Sequence, residues 1–332
     1  METVLITGAS GFVGFHLVEE AIFRRYKVIP VSRKNVIENI DVKKFFFDLR
    51  NKEEIRKVLL KIISEIGNID YIIHNAGITK AKKLNDFYEI NYLGTVNFVD
   101  ALKEIKVEPK KFVYISSLAV MGPCLNGTNE PMTLEHTPLY SKTKYGKSKY
   151  LAEMYIKQHD FLNWLIFRPT GIYGPRDKDY FELIKTINKG IYPIVGLNKK
   201  YLTFIYVKDL TSLIFDSLKT THKYKTYFVT DGNLYTYDEF IKILKRILKK
   251  KTIKIFLPKF IFKIIAILNE LIHMPFNKLP VINRDKYFLL VSDNWNCDIS
   301  LTVKDFNYKP KYDLEKGLSE TIMWLKNNNW LK

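Results

Sequence analysis

The chain is expected to form an α/β protein, a doubly wound parallel sheet followed by a smaller α/β lobe, and three observations predict this. Short β-branched and aromatic runs alternate with helical stretches through the first half. A glycine-rich turn follows the first of those runs. Beyond Pro175 the alternation fades and lysine, proline and aromatic residues gain ground, as in a less regular lobe.

The strands follow from the runs in order. Val4-Leu5-Ile6, Val28-Ile29-Pro30-Val31, Phe45-Phe46-Phe47, Tyr71-Ile72-Ile73, Phe112-Val113-Tyr114-Ile115 and Trp164-Leu165-Ile166-Phe167 are too apolar for a one-sided sheet. They predict strands buried on both faces, with helices such as Glu53 to Ile66 and Phe87 to Ile105 covering them. We assign residues 1–170, with a return around 201–230, to the sheet domain, and residues 171–200 and 231–332 to the lobe.

A chain of 332 residues with 47% apolar content can build a real core over about two domains. The formal charge of +18 would point to nucleic acid if the lysines formed one block. They are spread out, with bunches at Lys80 to Lys83 and Lys249 to Lys251, so a solvated basic surface with a pull toward anionic ligands is expected, and no nucleic-acid partner. Cys124 and Cys297 lack metal or redox spacing and are read as free thiols, with no metal site. Val4-Leu5-Ile6 is too short for a signal sequence, and we expect a cytoplasmic protein starting at Met1.

In "TGASGFVG", Gly8 allows the tight turn after the first strand, Gly11 a close approach to a pyrophosphate, and Gly14 close helix packing. A plain turn is the alternative, but a position between strand and helix predicts a dinucleotide, with Ser10, Gly11, Phe12 and Val13 at the phosphates. An acidic residue at the end of the second strand would bind the adenine ribose; here stand Ser32, Arg33 and Lys34. That favours the 2'-phosphate of NADP(H) and leaves NAD(H) possible, with a surface Arg-Lys pair as the plain alternative.

"YGKSK" places Tyr145 and Lys149 at i and i+4, on one helix face. A cation beside a phenol favours the phenolate, so the pair can exchange a proton with a substrate oxygen. Ser116 and Ser117, at the end of the fifth strand, supply a hydroxyl where open α/β sheets bind ligands. "YSKTK", Tyr140 and Lys144, has the same spacing, so the motif alone is weak. Pro138 places Tyr140 in the approach to the helix, while "YLAE" continues the helix after Lys149.

Together "TGASGFVG", "FFFDLR", "HNAG", "NYLGT", "ISSLAVMG", "YGKSKYLAE", "RPTGIYGPRD" and "FIYVKDL" resemble the extended short-chain dehydrogenase/reductases, the NAD-dependent epimerase/dehydratase family. The pattern is most similar to the 3β-hydroxysteroid dehydrogenase and dihydroflavonol reductase branch. The resemblance spans nearly the whole chain and implies a Rossmann domain with a C-terminal substrate lobe. It implies Tyr145 as acid/base, Lys149 as its pKa-lowering partner and ribose anchor, and Ser117 as the hydroxyl polarising the substrate oxygen. It places Asp48 and Leu49 at the adenine, Asn75, Ala76 and Gly77 beside the cofactor, Asn91 as a further cofactor residue on the helix behind the site, and Pro169 and Thr170 at the nicotinamide. His74 is expected to be structural, and Asp209 to cap a helix. A homodimer through helices including that of Tyr145 would suit the family.

Departures from the family pattern narrow the chemistry. Leu118-Ala119-Val120 provides no acid for water loss, which argues against a dehydratase. Gly171 stands where many sugar-nucleotide enzymes of the family carry an asparagine. These features favour an NADP(H)-dependent oxidoreductase interconverting a ketone and a secondary alcohol on a hydrophobic, steroid-, flavonoid- or keto-lipid-like substrate. A nucleotide-sugar epimerase with tightly bound NAD is the first alternative, a non-catalytic cofactor-binding subunit the second. The apolar segment from Phe256 to Leu279 is expected as a buried helix, with a pocket wall or peripheral membrane contact as alternatives.

Overall fold

The computed structural model describes residues 1–33, 40–124, 130–136, 143–196, 198–273 and 283–331. Lys34 and the Pro138–Tyr140 approach lie outside them.

The first half runs β1 (Thr3–Thr7), α1 (Phe12–Phe23), β2 (Lys27–Ser32), β3 (Phe45–Phe46), α2 (Lys52–Ile66) and β4 (Tyr71–His74). Then come α3 (Asn85–Phe87), a π-helical stretch (Tyr88–Leu93), α4 (Gly94–Glu104), β5 (Lys111–Ile115), α5 (Lys144–Ile156) and β6 (Trp164–Pro169). The expected helix of residues 87–105 therefore forms with a wide turn inside it.

The second half runs β7 (Gly171–Tyr173), α6 (Asp179–Asn188), β8 (Ile191–Val195), β9 (Tyr201–Leu202), β10 (Phe204–Tyr206), α7 (Val207–Leu218) and β11 (Lys225–Val229). It ends with β12 (Tyr235–Thr236), α8 (Tyr237–Leu248), β13 (Ile253–Leu257), α9 (Lys259–His273), α10 (Arg284–Val291), α11 (Ser300–Phe306) and α12 (Leu314–Asn327).

Seven strands form one parallel sheet in the order β11-β6-β5-β4-β1-β2-β3. Strand alternation divides the core into two layers. Val4 and Ile6 pack with Leu17, Val18 and Leu210 on one face, while Leu5 and Ile72 pack with Ile55, Leu59 and Phe98 on the other. Helices on both faces explain why the strands are apolar throughout. The direction of winding reverses between β1 and β4, and such a switch point opens a ligand crevice at the carboxyl ends of the strands. A third cluster, including Tyr173, Phe204, Phe240, Ile241 and Leu318, forms the core of the later elements.

Two expectations fail here. Asp209 does not cap α7, which begins on Tyr206 with no side-chain cap. Its carboxylate instead accepts the backbone N–H groups of Lys311 and Tyr312 at 3.1 and 3.0 Å, partners about a hundred residues away that no local pattern reveals. Nor is α9 a buried helix. It buries Phe262 and Ala266 and turns most of its other apolar side chains to solvent.

Candidate active site

The crevice begins at the β1–α1 turn. Gly8 has φ +68°, and a Cβ there would meet the Cα of Ala76 at 2.7 Å. A Cβ on Gly14 would lie 2.0 Å from the Gly8 carbonyl oxygen, so only glycine lets α1 pack this close. α1 starts on Gly11 with no side-chain cap and no acid in its first turn, which leaves its N–H groups and dipole for an anion. Ser10 and Gly11 are exposed there, with Phe12 and Val13 half-buried beside them.

Across the switch point, Asn75 Nδ2 donates to the Gly8 carbonyl at 3.4 Å, and the Ala76 N–H donates to Thr7 Oγ1 at 3.1 Å. At the end of β2, Ser32 is buried and Arg33 exposed. Asp48 is held below the usual carboxylate range, first by Arg50 at 2.5 Å and also by the charge of Arg33. Leu49 sits in the core layer beside Phe98. Pro169 ends β6, and Thr170 Oγ1 is buried with no hydrogen-bond partner among the described residues. The glycine cradle and this orphaned hydroxyl fit a bound dinucleotide.

The reactive side chains converge from two elements. Ser117 caps a short turn after β5, its Oγ accepting the Ala119 N–H at 3.1 Å. Thr143 caps α5 by accepting the Gly146 N–H at 2.9 Å, which puts Tyr145 in the first helical turn. A Cβ on Gly146 would fall 2.4 Å from the Ala119 carbonyl oxygen, so that glycine lets α5 lie against the Ser117 turn. Burial pushes the Tyr145 phenol up, and a hydrogen bond with Ser117 acts against it.

Lys149 is 4% exposed, and desolvation pushes its ammonium down to about 7. Its Nζ donates to the Ile115 carbonyl at 2.6 Å and stands 4.2 Å from the centre of the Tyr114 ring. The expected lowering of the phenol by Lys149 is therefore not seen. The ammonium is engaged by a carbonyl and a ring face, and desolvation dominates at Tyr145.

The profile of the NAD dependent epimerase/dehydratase family matches residues 4–229. The chain belongs to that family. It is therefore an NAD(P)-dependent enzyme on a Rossmann sheet. The UDP-glucose 4-epimerase of Vibrio cholerae is 26% identical over 99% of this chain and 97% of its own length. The human sterol-4-alpha-carboxylate 3-dehydrogenase (decarboxylating) is 27% identical over 62% of this chain and 54% of its own. Among solved structures, the dTDP-glucose 4,6-dehydratase of Bacillus anthracis, in complex with NAD, is similar with a TM-score of 0.77. It is 22% identical and covers 100% of this chain and 99% of that one.

Other family positions prove to be supports. Asn91 accepts the Ile78 N–H at 2.7 Å and donates to the Ile78 carbonyl and Ser148 Oγ, both at 3.0 Å. Both of its N–H donors and its oxygen are engaged by protein, so it braces the Gly77 turn against α5. His74 is structural as expected: it bonds Thr7 at 2.8 Å and Thr95 at 3.0 Å, and burial pushes it down to about 3.

Sequence reasoning missed Glu153 and Arg168, a buried bidentate pair at 2.6 and 3.0 Å that ties α5 to β6. Ser116 also donates to Glu153, which separates its role from that of Ser117. The available signal was spacing: Tyr145, Lys149 and Glu153 recur every four residues on one helix face. Asp285 of α10 was also missed; it accepts the Tyr145 N–H at 3.0 Å.

Proposed function

We propose that this enzyme inverts a secondary-alcohol carbon of a sugar carried on a nucleoside diphosphate. The observation that carries the reading is extent. The likeness to the Vibrio cholerae UDP-glucose 4-epimerase runs through the lobe as well as the sheet, whereas that to the sterol dehydrogenase stops at 62% of the chain. Cations suited to a diphosphate stand close by. Lys80 and Lys286 meet on Asp179 at 2.5 and 3.3 Å, and the charge of Asp179 reaches Tyr145.

The glycine turn, Ala76, Gly77 and Thr170 would hold the dinucleotide, which when bound supplies the hydride acceptor and donor. Ser117 holds the substrate oxygen by donating a hydrogen bond. Tyr145 takes the hydroxyl proton as the alcohol is oxidised and returns it when the ketone is reduced. Lys149, once turned from the Ile115 carbonyl, stabilises the phenolate that takes the proton in the first step and is re-formed when the proton is returned in the second. Proton NMR of UDP-glucose incubated with the enzyme and no added cofactor should show a second sugar epimer. An unchanged spectrum across UDP- and dTDP-sugars would contradict the reading.

Arg33 bears on the cofactor. Exposed at the end of β2, where Ser32 and Arg33 stand in place of an acid, it favours NADP(H) over NAD(H). Arg33→Asp should weaken NADPH binding more than NADH binding in calorimetric titrations; equal losses would refute the preference. The same residue favours a second reading, net NADP(H)-dependent reduction of an apolar ketone. So does Gly171, where a Cβ would lie 2.3 Å from the Tyr180 hydroxyl, so that a ring fills the space of a polar side chain.

A further inference from the structure

α9 inverts the usual order of a surface helix. Phe260, Ile264, Leu268 and Leu271 are exposed at helical spacing and form one stripe, with Ile261, Ile265 and Ile272 widening it. Phe260 is 66% exposed and Leu271 56%. β13, immediately before α9, adds Ile253 at 73%, with Ile255 and Phe256 also open. Single exposed apolar residues are ordinary, but a stripe at helical spacing along α9, with further open apolar residues on the strand that precedes it in sequence, marks an interaction surface.

We propose that this face of α9 and β13 rests on an anionic lipid bilayer. Charge selects the occupant. Lys249, Lys250 and Lys251 precede β13, Lys254 lies within it, and Lys263 borders the stripe, all exposed. Among the described residues, none of these lysines is in an ion pair. A second copy docked by the same face would bring two such sets together on a chain of net charge +18. Anionic headgroups instead neutralise them while the apolar side chains enter the acyl boundary.

Geometry selects the mode. The 15 described residues of α9 span about 22 Å and set an exposed apolar stripe against a face that buries Phe262 and Ala266, the pattern of a helix that lies in the interface. No helix of the described residues is long and apolar enough to cross a membrane. α10 packs on α9, and Asp285 of α10 bonds the backbone of Tyr145, so the docked face is one helix away from the site.

The full chain is sedimented with vesicles of phosphatidylcholine alone and of phosphatidylcholine with phosphatidylglycerol. Binding about tenfold stronger to the anionic vesicles, reduced by salt, is expected. The Ile264→Glu, Leu268→Glu double variant should lose that binding about tenfold or more while keeping its melting temperature and turnover. Lys250→Glu with Lys254→Glu should remove the preference for anionic lipid. Failure to sediment with either vesicle overturns the proposal, as does equal binding to both. So does a dimer, seen by light scattering, that the double glutamate variant dissociates. Vesicle binding and sugar turnover are separate readouts, so this proposal and that for the reaction can fail independently.

Discussion

α5 and α9 are helices of similar length with opposite economies of burial. α5 buries Lys149, Glu153 and Ser148, while α9 buries only Phe262 and Ala266 and exposes a stripe of larger apolar side chains. Charge inside and apolar surface outside both oppose folding, and each persists where something else requires it. In α5, on the proposed reaction, the requirement is chemistry: Tyr145 and Lys149 stand one helical turn apart on the helix that lies against the Ser117 turn. In α9, on the proposed docking, it is contact beyond the chain.

The comparison can be broken at either helix. The largest effect is expected at Tyr145. Tyr145→Phe should lower turnover about 10²- to 10⁴-fold and leave dinucleotide binding nearly intact, because only the hydroxyl that takes and returns the proton is removed. A variant of undiminished turnover would end the catalytic assignment of α5.

Glu153→Gln should come next. It leaves Arg168 buried without its counter-charge, and chemical denaturation should show a loss of about 3–5 kcal/mol. A loss below 1 kcal/mol would mean that the pair is solvated and that α5 tolerates its charges.

Lys149→Met should abolish turnover yet stabilise the cofactor-free chain at pH 6. The folded pKa of Lys149 lies below its ordinary value, so the unfolded chain holds more protons between the two. The penalty of the charged group is therefore full below about pH 7 and fades as pH rises from there toward the ordinary lysine range. Melting curves of wild type and variant should converge over that interval. Curves that stay parallel would show that the lysine titrates normally.

The smallest effect belongs to α9. Leu268→Gln, at an exposed position, should shift stability by no more than about 0.5 kcal/mol. A substantial loss would return α9 to the core and remove the contrast with α5.

Much of the first half was legible because its physics is local. β-branched runs buried on two faces, a glycine turn between strand and helix, and a four-residue spacing all survive in one dimension. The decoy at Tyr140 was separable for the same reason: α5 opens on Thr143 and Lys144, which puts Tyr145 inside the helix. Asp209 and the Glu153–Arg168 pair were misread or missed because their partners are remote in sequence. α9 misled in another way. Apolar residues read as buried ones, and only the fold reveals that the stripe faces outward.

The identity of the nucleotide that leaves the freshly purified, denatured enzyme tests the central claim most directly. An enzyme that oxidises and re-reduces the same sugar carbon keeps its cofactor, so mass spectrometry should find about one dinucleotide per chain. An empty enzyme that turns over only with added NADPH, consuming one per product, would contradict the epimerase and establish net reduction.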